Sequence, residues 1–313
     1  MFAATAPGKV ILFGEHAVVY GRPALAAPVT HLRARAAVTP TGRPDVRLIA
    51  PDLGRTLRLS VAPADNPLAA TIRAVAAHLD RPLTEGYDLT VSSDIPIASG
   101  LGSGAAIAVA VIRALALYAG WPDWLPREDV SRLAYEVERL HHGTPSGIDN
   151  TVIAYEQPVY FRRREGGNLI EPFAPARPLR LLIGDTGVRS ATRDVVGDVR
   201  SQWQADPARF ETIFGACGWL ADAGRAALTA GDLAAVGRLM NENHDWLVQM
   251  TVSSTPLDRL VAAARQAGAL GAKLSGAGRG GNMIALVTAE TEQAVGEALS
   301  AARAVRVYRS DVG

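Results

Sequence analysis

The chain has a single cysteine, Cys217, in 313 residues. It can therefore form no internal disulfide, and nothing around it has the spacing of a metal site, which suits a reducing compartment. An excess of either charge is also missing. With 32 Lys and Arg against 31 Asp and Glu, the net charge is +1, which gives no field for nucleic acid. The run Arg162-Arg163-Arg164 is too short to change that and reads as a solvated turn. No long hydrophobic run occurs: the longest, residues 105–121, is interrupted by Arg113 and falls short of the ~20 residues a bilayer span needs. No basic segment followed by an apolar one opens the sequence, so no secretory signal is expected. Lysine is scarce as well. Thirty arginines accompany only two lysines, Lys9 and Lys273, each beside a glycine-rich stretch, where a compact ammonium serves better than a guanidinium fork. These absences predict a cytoplasmic protein acting on a small molecule, with neither nucleic acid nor membrane as partner.

What is present is a globular composition, 48% hydrophobic and 20% charged, at a length that suits one large domain or two smaller ones. Strands are expected at residues 10–13, 33–39, 46–50, 55–61, 87–92 and 159–162, and helices at 67–79, 103–119 and 127–141. The proline-spaced segment 171–178 is the best linker candidate. Beyond it come a strand at 179–184, a largely helical region to about Gly268, strands at 272–275 and 282–287, a helix at 289–302 and a strand at 305–309. Short alternating strands mixed with helices in both halves predict an α+β chain of two domains, residues 1–174 and 175–313.

The most informative stretch is DIPIASGLGSGAAIAV, residues 94–109. A half-buried strand, with Tyr87, Leu89 and Val91 on one face, feeds a loop of small residues that opens into an Ala/Val/Ile helix. Unpaired N–H groups and a partial positive charge at a helix start favour anions, and glycines let the main chain approach a phosphate closely. Residues 100–105, Gly-Leu-Gly-Ser-Gly-Ala, formally satisfy the dinucleotide fingerprint, yet no second parallel strand ending in an acidic residue follows the helix. No Gly-Lys-Ser/Thr follows either, which excludes a Walker A loop. The alternative is a tight turn that only packs a helix on a sheet. A second glycine-rich loop, Gly-Ala-Gly-Arg-Gly-Gly at 276–281, precedes a strand and could close over phosphates.

Two further segments carry polar groups. Residues 6–25 place Lys9, Glu15 and His16 around one short strand, which suits an anionic, hydroxylated substrate or else a surface ion pair beside a core histidine. In residues 136–151, Gly143 and Pro145 stop a helix that carries Glu138 in its last turns, and Asp149 follows a Ser-Gly turn. Two such carboxylates can divide labour, one holding a metal and one accepting a proton. Adjacent His141 and His142 point to different helix faces, and no H-E-x-x-H occurs, so a zinc site is not expected. His31, His78 and His244 read as structural or surface residues.

Together these segments resemble the GHMP kinases and, within that superfamily, the mevalonate kinase family. APGKVILFGEHAVVYGRPAL is similar to the first family motif, IPIASGLGSGAA to the phosphate loop, HGTPSGIDNTV to the catalytic-aspartate segment and KLSGAGRGGNMIAL to the third motif, in the family's order and spacing. The resemblance implies an N-terminal domain of mixed sheet and helices, a ferredoxin-like C-terminal domain, and ATP-dependent phosphorylation of mevalonate at its 5-hydroxyl for isoprenoid synthesis. It implies that Asp149 accepts the hydroxyl proton, that Lys9 neutralises charge near the γ-phosphate, and that Glu138 binds Mg²⁺. Gly100, Leu101, Gly102, Ser103, Gly104 and Ala105 would hold the phosphates of ATP, aided by Gly276, Ala277 and Gly278. His16, Glu15 and Thr192 would contact the substrate. Two departures stand out. Gly104 replaces the second serine of the usual Gly-Leu-Gly-Ser-Ser-Ala, leaving Ser103, a water or Glu138 alone for the metal, and Arg279 replaces a frequent glycine, where it either reaches a phosphate or faces solvent.

The competing expectations are a related kinase acting at the 3-hydroxyl of mevalonate or on phosphomevalonate, and a non-catalytic nucleotide-binding relative. A phosphomevalonate kinase needs a basic cluster for the substrate phosphate, and none is evident. A non-catalytic chain should have lost Lys9, Glu138 or Asp149, and all three are present. A homodimer is the assembly carried forward as an expectation.

Overall fold

The structure, a computed structural model, describes residues 1–96, 99–121, 125–142 and 145–313, with His141 and His142 described by backbone only. Ile97 and Ala98 of the phosphate loop, Gly143 and Thr144 of the aspartate segment, and the faces of the two adjacent histidines lie outside this description. The chain forms two compact units: Met1–Gly8, Leu32–Ile97 and Gly102–Glu156 make the first, and Lys9–His31, Ala98–Leu101 and Gln157–Gly313 the second. Strands β1 (Phe2–Phe13) and β2 (Pro23–Pro40) each contribute residues to both.

In the first unit, β3 (Val46–Ala50), β4 (Arg55–Arg58), helix α1 (Pro67–His78), β5 (Tyr87–Ser93) and helices α2 (Ser103–Tyr118), α3 (Arg127–His142) and α4 (Ile148–Tyr155) follow in order. β5 runs antiparallel to the second half of β2 and parallel to β3, and β4 closes antiparallel on β3. The sheet is therefore mixed. Tyr87, Leu89 and Val91 are buried, as their alternation predicts. On the other face, the Asp88 carboxylate takes Arg47 and Arg43, and their hydrogen bonds hold its pKa down to about 2.

α2 is buried nearly all round, which its Ala/Val/Ile composition allows. The arginine that interrupts this apolar run has a structural task. Arg113 is 7% exposed, donates to the Ala154 carbonyl at 2.8 Å and pairs with Glu156, so it ties α2 to the end of α4.

The second unit continues with β6 (Val159–Arg162), β7 (Leu169–Pro172), β8 (Leu179–Asp185), helices α5 (Thr192–Ala205), α6 (Pro207–Ala230), α7 (Leu233–Gln249) and α8 (Thr255–Gln266), then β9 (Gly271–Ser275), β10 (Asn282–Val287), α9 (Glu292–Ala301) and β11 (Arg306–Val312). The first residues of β2 pair with β6, and β6 with β7. The other sheet has the order β11-β8-β10-β9 with every pair antiparallel. Two β-α-β halves interleaved in this way make the expected ferredoxin-like sheet, with α5 to α8 as an enlarged first connection. Its core joins Phe210, Phe214 and Cys217 of α6 to Leu257 and Leu260 of α8, Leu274 of β9 and Met283 of β10, and it includes Ala17. α7 reaches β9 at two glycines: a Cβ on Gly237 would lie 2.2 Å from the Leu270 carbonyl oxygen, and one on Gly271 would lie 2.1 Å from that of Gly237. Only bare backbone fits this crossing.

The structure departs from the expected elements where chain breakers mislead. β1 begins at Phe2 and runs through Pro7-Gly8, and residues 59–61 leave the expected strand 55–61 as a 3-10 turn. The linker candidate starts inside β7, whose closing Pro172 pairs with Val159. α4 has only eight residues and follows a Ser-Gly turn, too short to show a period.

Candidate active site

In the second unit the first motif is fastened to the third by polar contacts at three points. The Ser275 hydroxyl accepts from the Ile11 N–H at 3.0 Å and donates to the Ile11 carbonyl at 3.1 Å. Two residues back along β9, on the same face, Lys273 pairs with Glu15, and its ammonium also donates to the Leu274 carbonyl at 2.7 Å. Beyond β9, the Ala277 carbonyl accepts from His16 Nε2 at 2.8 Å. Between β1 and this anchored end the chain turns at Gly14, whose φ is +88° and whose missing Cβ would lie 2.4 Å from the Pro23 carbonyl oxygen. His16 follows in an unusual conformation for a side-chain-bearing residue, φ 58° and ψ −46°.

The electrostatics follow from burial. His16 is 6% exposed, and desolvation brings its pKa down to about 4, so the ring is neutral near pH 7. With Nε2–H donated to Ala277, Nδ1 is left as an acceptor. Burial pushes Glu15 up and Lys273 down from their ordinary values, and each partner's charge opposes the push on the other.

Lys9 is 4% exposed, and its backbone N–H donates to the Leu101 carbonyl at 2.9 Å. Ser99 to Leu101 of the phosphate loop thus lie beside β1. They also lie beside the third motif, because Asn282 Nδ2 donates to the Ser99 carbonyl and a Cβ on Gly276 would be 3.6 Å from the Gly100 oxygen. The loop from β8 to α5 holds the third motif from its other side: Thr186 Oγ1 donates to Gly281 O at 2.8 Å and Ser190 Oγ to Gly278 O at 2.7 Å. Thr192, expected at the substrate, starts α5 and is exposed. The Arg279 side chain is 32% exposed and lies at the surface. It pairs with Asp198 of α5 and donates from Nε to the Thr251 carbonyl at 3.3 Å.

In the first unit, α2 starts at Ser103 after Gly102, with no side chain capping its first N–H groups. These donors are available to an anion. Gly104, in that first turn, shares with Glu138 of α3 a cavity of about 180 Å³, lined otherwise by Pro67, Leu68, Thr71, Ile107, Ala108 and Val137. A Cβ on Gly104 would meet nothing within 4 Å, so the missing serine leaves open space. Asp149 is the second residue of α4. Its helix is pinned to α3 by Asn150 Nδ2, which donates to both the carbonyl and the hydroxyl of Ser131 at 2.9 Å, and by Thr151 Oγ1, 3.2 Å from that hydroxyl.

Among the described residues no cluster of three His, Cys, Asp or Glu could hold a metal by itself. A carboxylate at Glu138 with a hydroxyl at Ser103 is a hard-oxygen donor set. It fits Mg²⁺, which takes one or two protein ligands and completes its shell with substrate phosphates and water.

The structure therefore brings Lys9, Gly100, Leu101 and the third-motif glycines together in one unit, with Glu15 and His16 fastened to the same motif. In the other unit it brings Gly104 and Glu138 to one cavity. Sequence reasoning missed Ser131, Asn150, Thr186, Ser190, Ser275 and Asn282, which hold these segments in place. The one available signal was Asp-Thr-Gly-Val-Arg-Ser directly after a strand.

The family model for the N-terminal domain of GHMP kinases matches residues 66–157, and that for the GHMP kinase C-terminal domain matches 225–305. A mevalonate kinase of Pyrococcus horikoshii is 37% identical over 305 residues, covering 90% of this chain and 88% of that one. That of Aeropyrum pernix is 38% identical over 295 residues, with 90% and 87% covered. Among solved structures, the L. major mevalonate kinase in complex with R-mevalonate superimposes with a TM-score of 0.85 at 33% identity, covering 100% of this chain and 96% of that one. The Methanococcus jannaschii mevalonate kinase gives 0.85 at 27%, covering 99% and 98%. The chain belongs to the GHMP kinases and, within them, to the mevalonate kinase family.

Proposed function

We propose that this chain transfers the γ-phosphoryl group of ATP to the 5-hydroxyl of mevalonate, giving 5-phosphomevalonate and ADP for isoprenoid biosynthesis. The observation that carries the reading is the likeness to a mevalonate-bound kinase along the whole chain, in a sequence that keeps Lys9, Glu138 and Asp149. In the transfer, the bond from Pγ to the ADP oxygen breaks as the alcohol oxygen bonds to Pγ. The hydroxyl proton passes to Asp149 and then to solvent. Such a reaction needs mainly positioning and electrostatic stabilisation of the equatorial oxygens.

Asp149, in the first turn of α4, is assigned to accept the hydroxyl's hydrogen bond and aim the oxygen. Lys9 is assigned to neutralise charge near that oxygen and the γ-phosphate. The amides of residues 100–105, at the uncapped start of α2, cradle the β- and γ-phosphates, with Gly276, Ala277 and Gly278 closing on them. Glu138 and Ser103 would hold Mg²⁺, which neutralises phosphate charge. On the alcohol's side we assign His16, Glu15 and Thr192, with His16 Nδ1 accepting from a substrate hydroxyl. The phosphate loop and aspartate are assigned to a half spanning 1–174 and the third motif to a half spanning 175–313. We place the reaction in the cytoplasm, and the homodimer remains part of this reading.

ADP release, coupled to a reporter, tests the proposal with mevalonate, phosphomevalonate, homoserine and galactose in parallel. Turnover confined to mevalonate is the expected result. Turnover with another alcohol alone would move the substrate, and silence with all four would leave nucleotide binding without catalysis. Asp149→Ala should lose most turnover yet bind ATP normally, and near-wild-type turnover would remove Asp149 from the role given to it.

A further inference from the structure

We propose that Glu15 and Lys273 act as one positioning pair, whose buried contact sets the His16 ring in the orientation that an alcohol substrate meets. The inference rests on the reading of His16 as an alcohol contact, and it makes Glu15's part indirect. The Glu15 side chain is 1% exposed and that of Lys273 0%, so neither offers a surface to a ligand. Among the described residues Glu15 Oε2 has no hydrogen-bond partner; the carboxylate is held chiefly by Lys273 through Oε1, with its own backbone N–H and the charge of Lys9 acting on it more weakly.

Stability alone does not account for the pair. Removing two charges from water is unfavourable, and an apolar pair of similar volume commonly serves a core as well or better. Residue choice points the same way. A chain that uses arginine thirty times places one of its two lysines at its most buried cationic position, a compact ammonium rather than a planar fork.

The geometry says what the pair holds. β9 alternates, so Leu274 joins the hydrophobic core while Lys273 and Ser275 turn to the first motif. Ser275 fixes the segment at Ile11 and Ala277 takes the His16 ring, with Lys273 fixing Glu15 between them. His16 directly follows Glu15 at φ 58°, a backbone state that persists only where its surroundings over-determine it. Without the Glu15 anchor, two peptide bonds separate the turn at Gly14 from His16 with no side chain fastened. The ring is then free to leave Ala277.

The test reads His16 itself. Long-range ¹⁵N–¹H NMR of the imidazoles, with His16 assigned by loss of its signal in His16→Gln, is run on the wild type, Lys273→Met and Glu15→Met/Lys273→Met. The double variant leaves no lone buried charge and decides the matter if the single variant does not fold. In the wild type the expected signal is one neutral Nε2–H tautomer from about pH 5.5 to 8. In the variants it becomes a mixture of tautomers titrating near the ordinary ~6.5. In parallel, KM for the alcohol rises about tenfold or more while KM for ATP stays within about twofold. A double variant that folds with the wild-type His16 signal and KM overturns the proposal. So does one that cannot fold, since the pair would then be part of the core's own stability. A wild type silent with mevalonate would sink the substrate reading alone, because the imidazole signal needs no turnover.

Discussion

Single residues decide whether the two ends of the proposed site are built. At Gly14 a methyl group would meet the Pro23 carbonyl at 2.4 Å from a backbone at φ +88°, so Gly14→Ala combines a clash with a strained dihedral. Its expected effect is a loss of about 2–4 kcal/mol in urea denaturation. An unchanged midpoint would show that the turn can relax. Among the described residues Glu138 is the only carboxylate lining the cavity it shares with Gly104. Glu138→Gln keeps its size and removes its charge, and the Mg²⁺ concentration for half-maximal turnover should rise about tenfold or more. Equal metal dependence in the two proteins would remove Glu138 from the metal's shell. Lys9 and Asp149 stand out in the sequence as candidates because their motif neighbours mark them. The serines and asparagines that place those motifs do not: Ser275 acts on Ile11 across 264 positions and Asn150 on Ser131 across 19, distances at which a polar residue in a strand or helix carries no sign of its partner.

Among the elements, those with one buried face could be read and those set by a neighbour could not. The alternation at 87–91 predicts β5 because its apolar side chains all fall on one face. The long apolar α2 is legible for a different reason, its lack of any polar stripe, and Arg113 within it looked like a break until Glu156 and Ala154 accounted for its charge. By contrast, β1 passes through Pro7-Gly8 and α4 is a helix of two turns, so each owes its form to what packs on it. The start of α2 carries a prediction of its own. Gly104 has open space where a Cβ would be and no left-handed φ, so Gly104→Ala should stabilise the protein by about 0.5–1 kcal/mol through reduced freedom of the unfolded chain. Thermal denaturation checks the sign. A loss of stability would show that the loop needs glycine for its backbone.

For the molecule as a whole, acid sensitivity should be set by two buried histidines. His16 and His244 both have pKa values lowered to about 4, chiefly by desolvation, against an ordinary 6.5. The folded state therefore prefers them neutral. Their contribution is fully present above about pH 6.5 and is lost as pH falls toward about 4, by about 1.4 kcal/mol per pH unit for each. Asp88, held to about 2, loses its contribution only below the range of ordinary carboxylates. Urea midpoints should thus fall between pH 7 and 4.5, and His16→Gln and His244→Gln should each flatten the slope. A midpoint constant over that range would mean that both rings are reached by water. The placement of the two lysines has a consequence of a different kind. Lys9 is 4% exposed and Lys273 0%, so the folded chain shows solvent almost no lysine amine. Reagents and modifying enzymes would acylate Lys9 or Lys273 only on molecules that have opened, so acylation at these two positions, read apart from that of the exposed Met1 amine, would report the opened fraction.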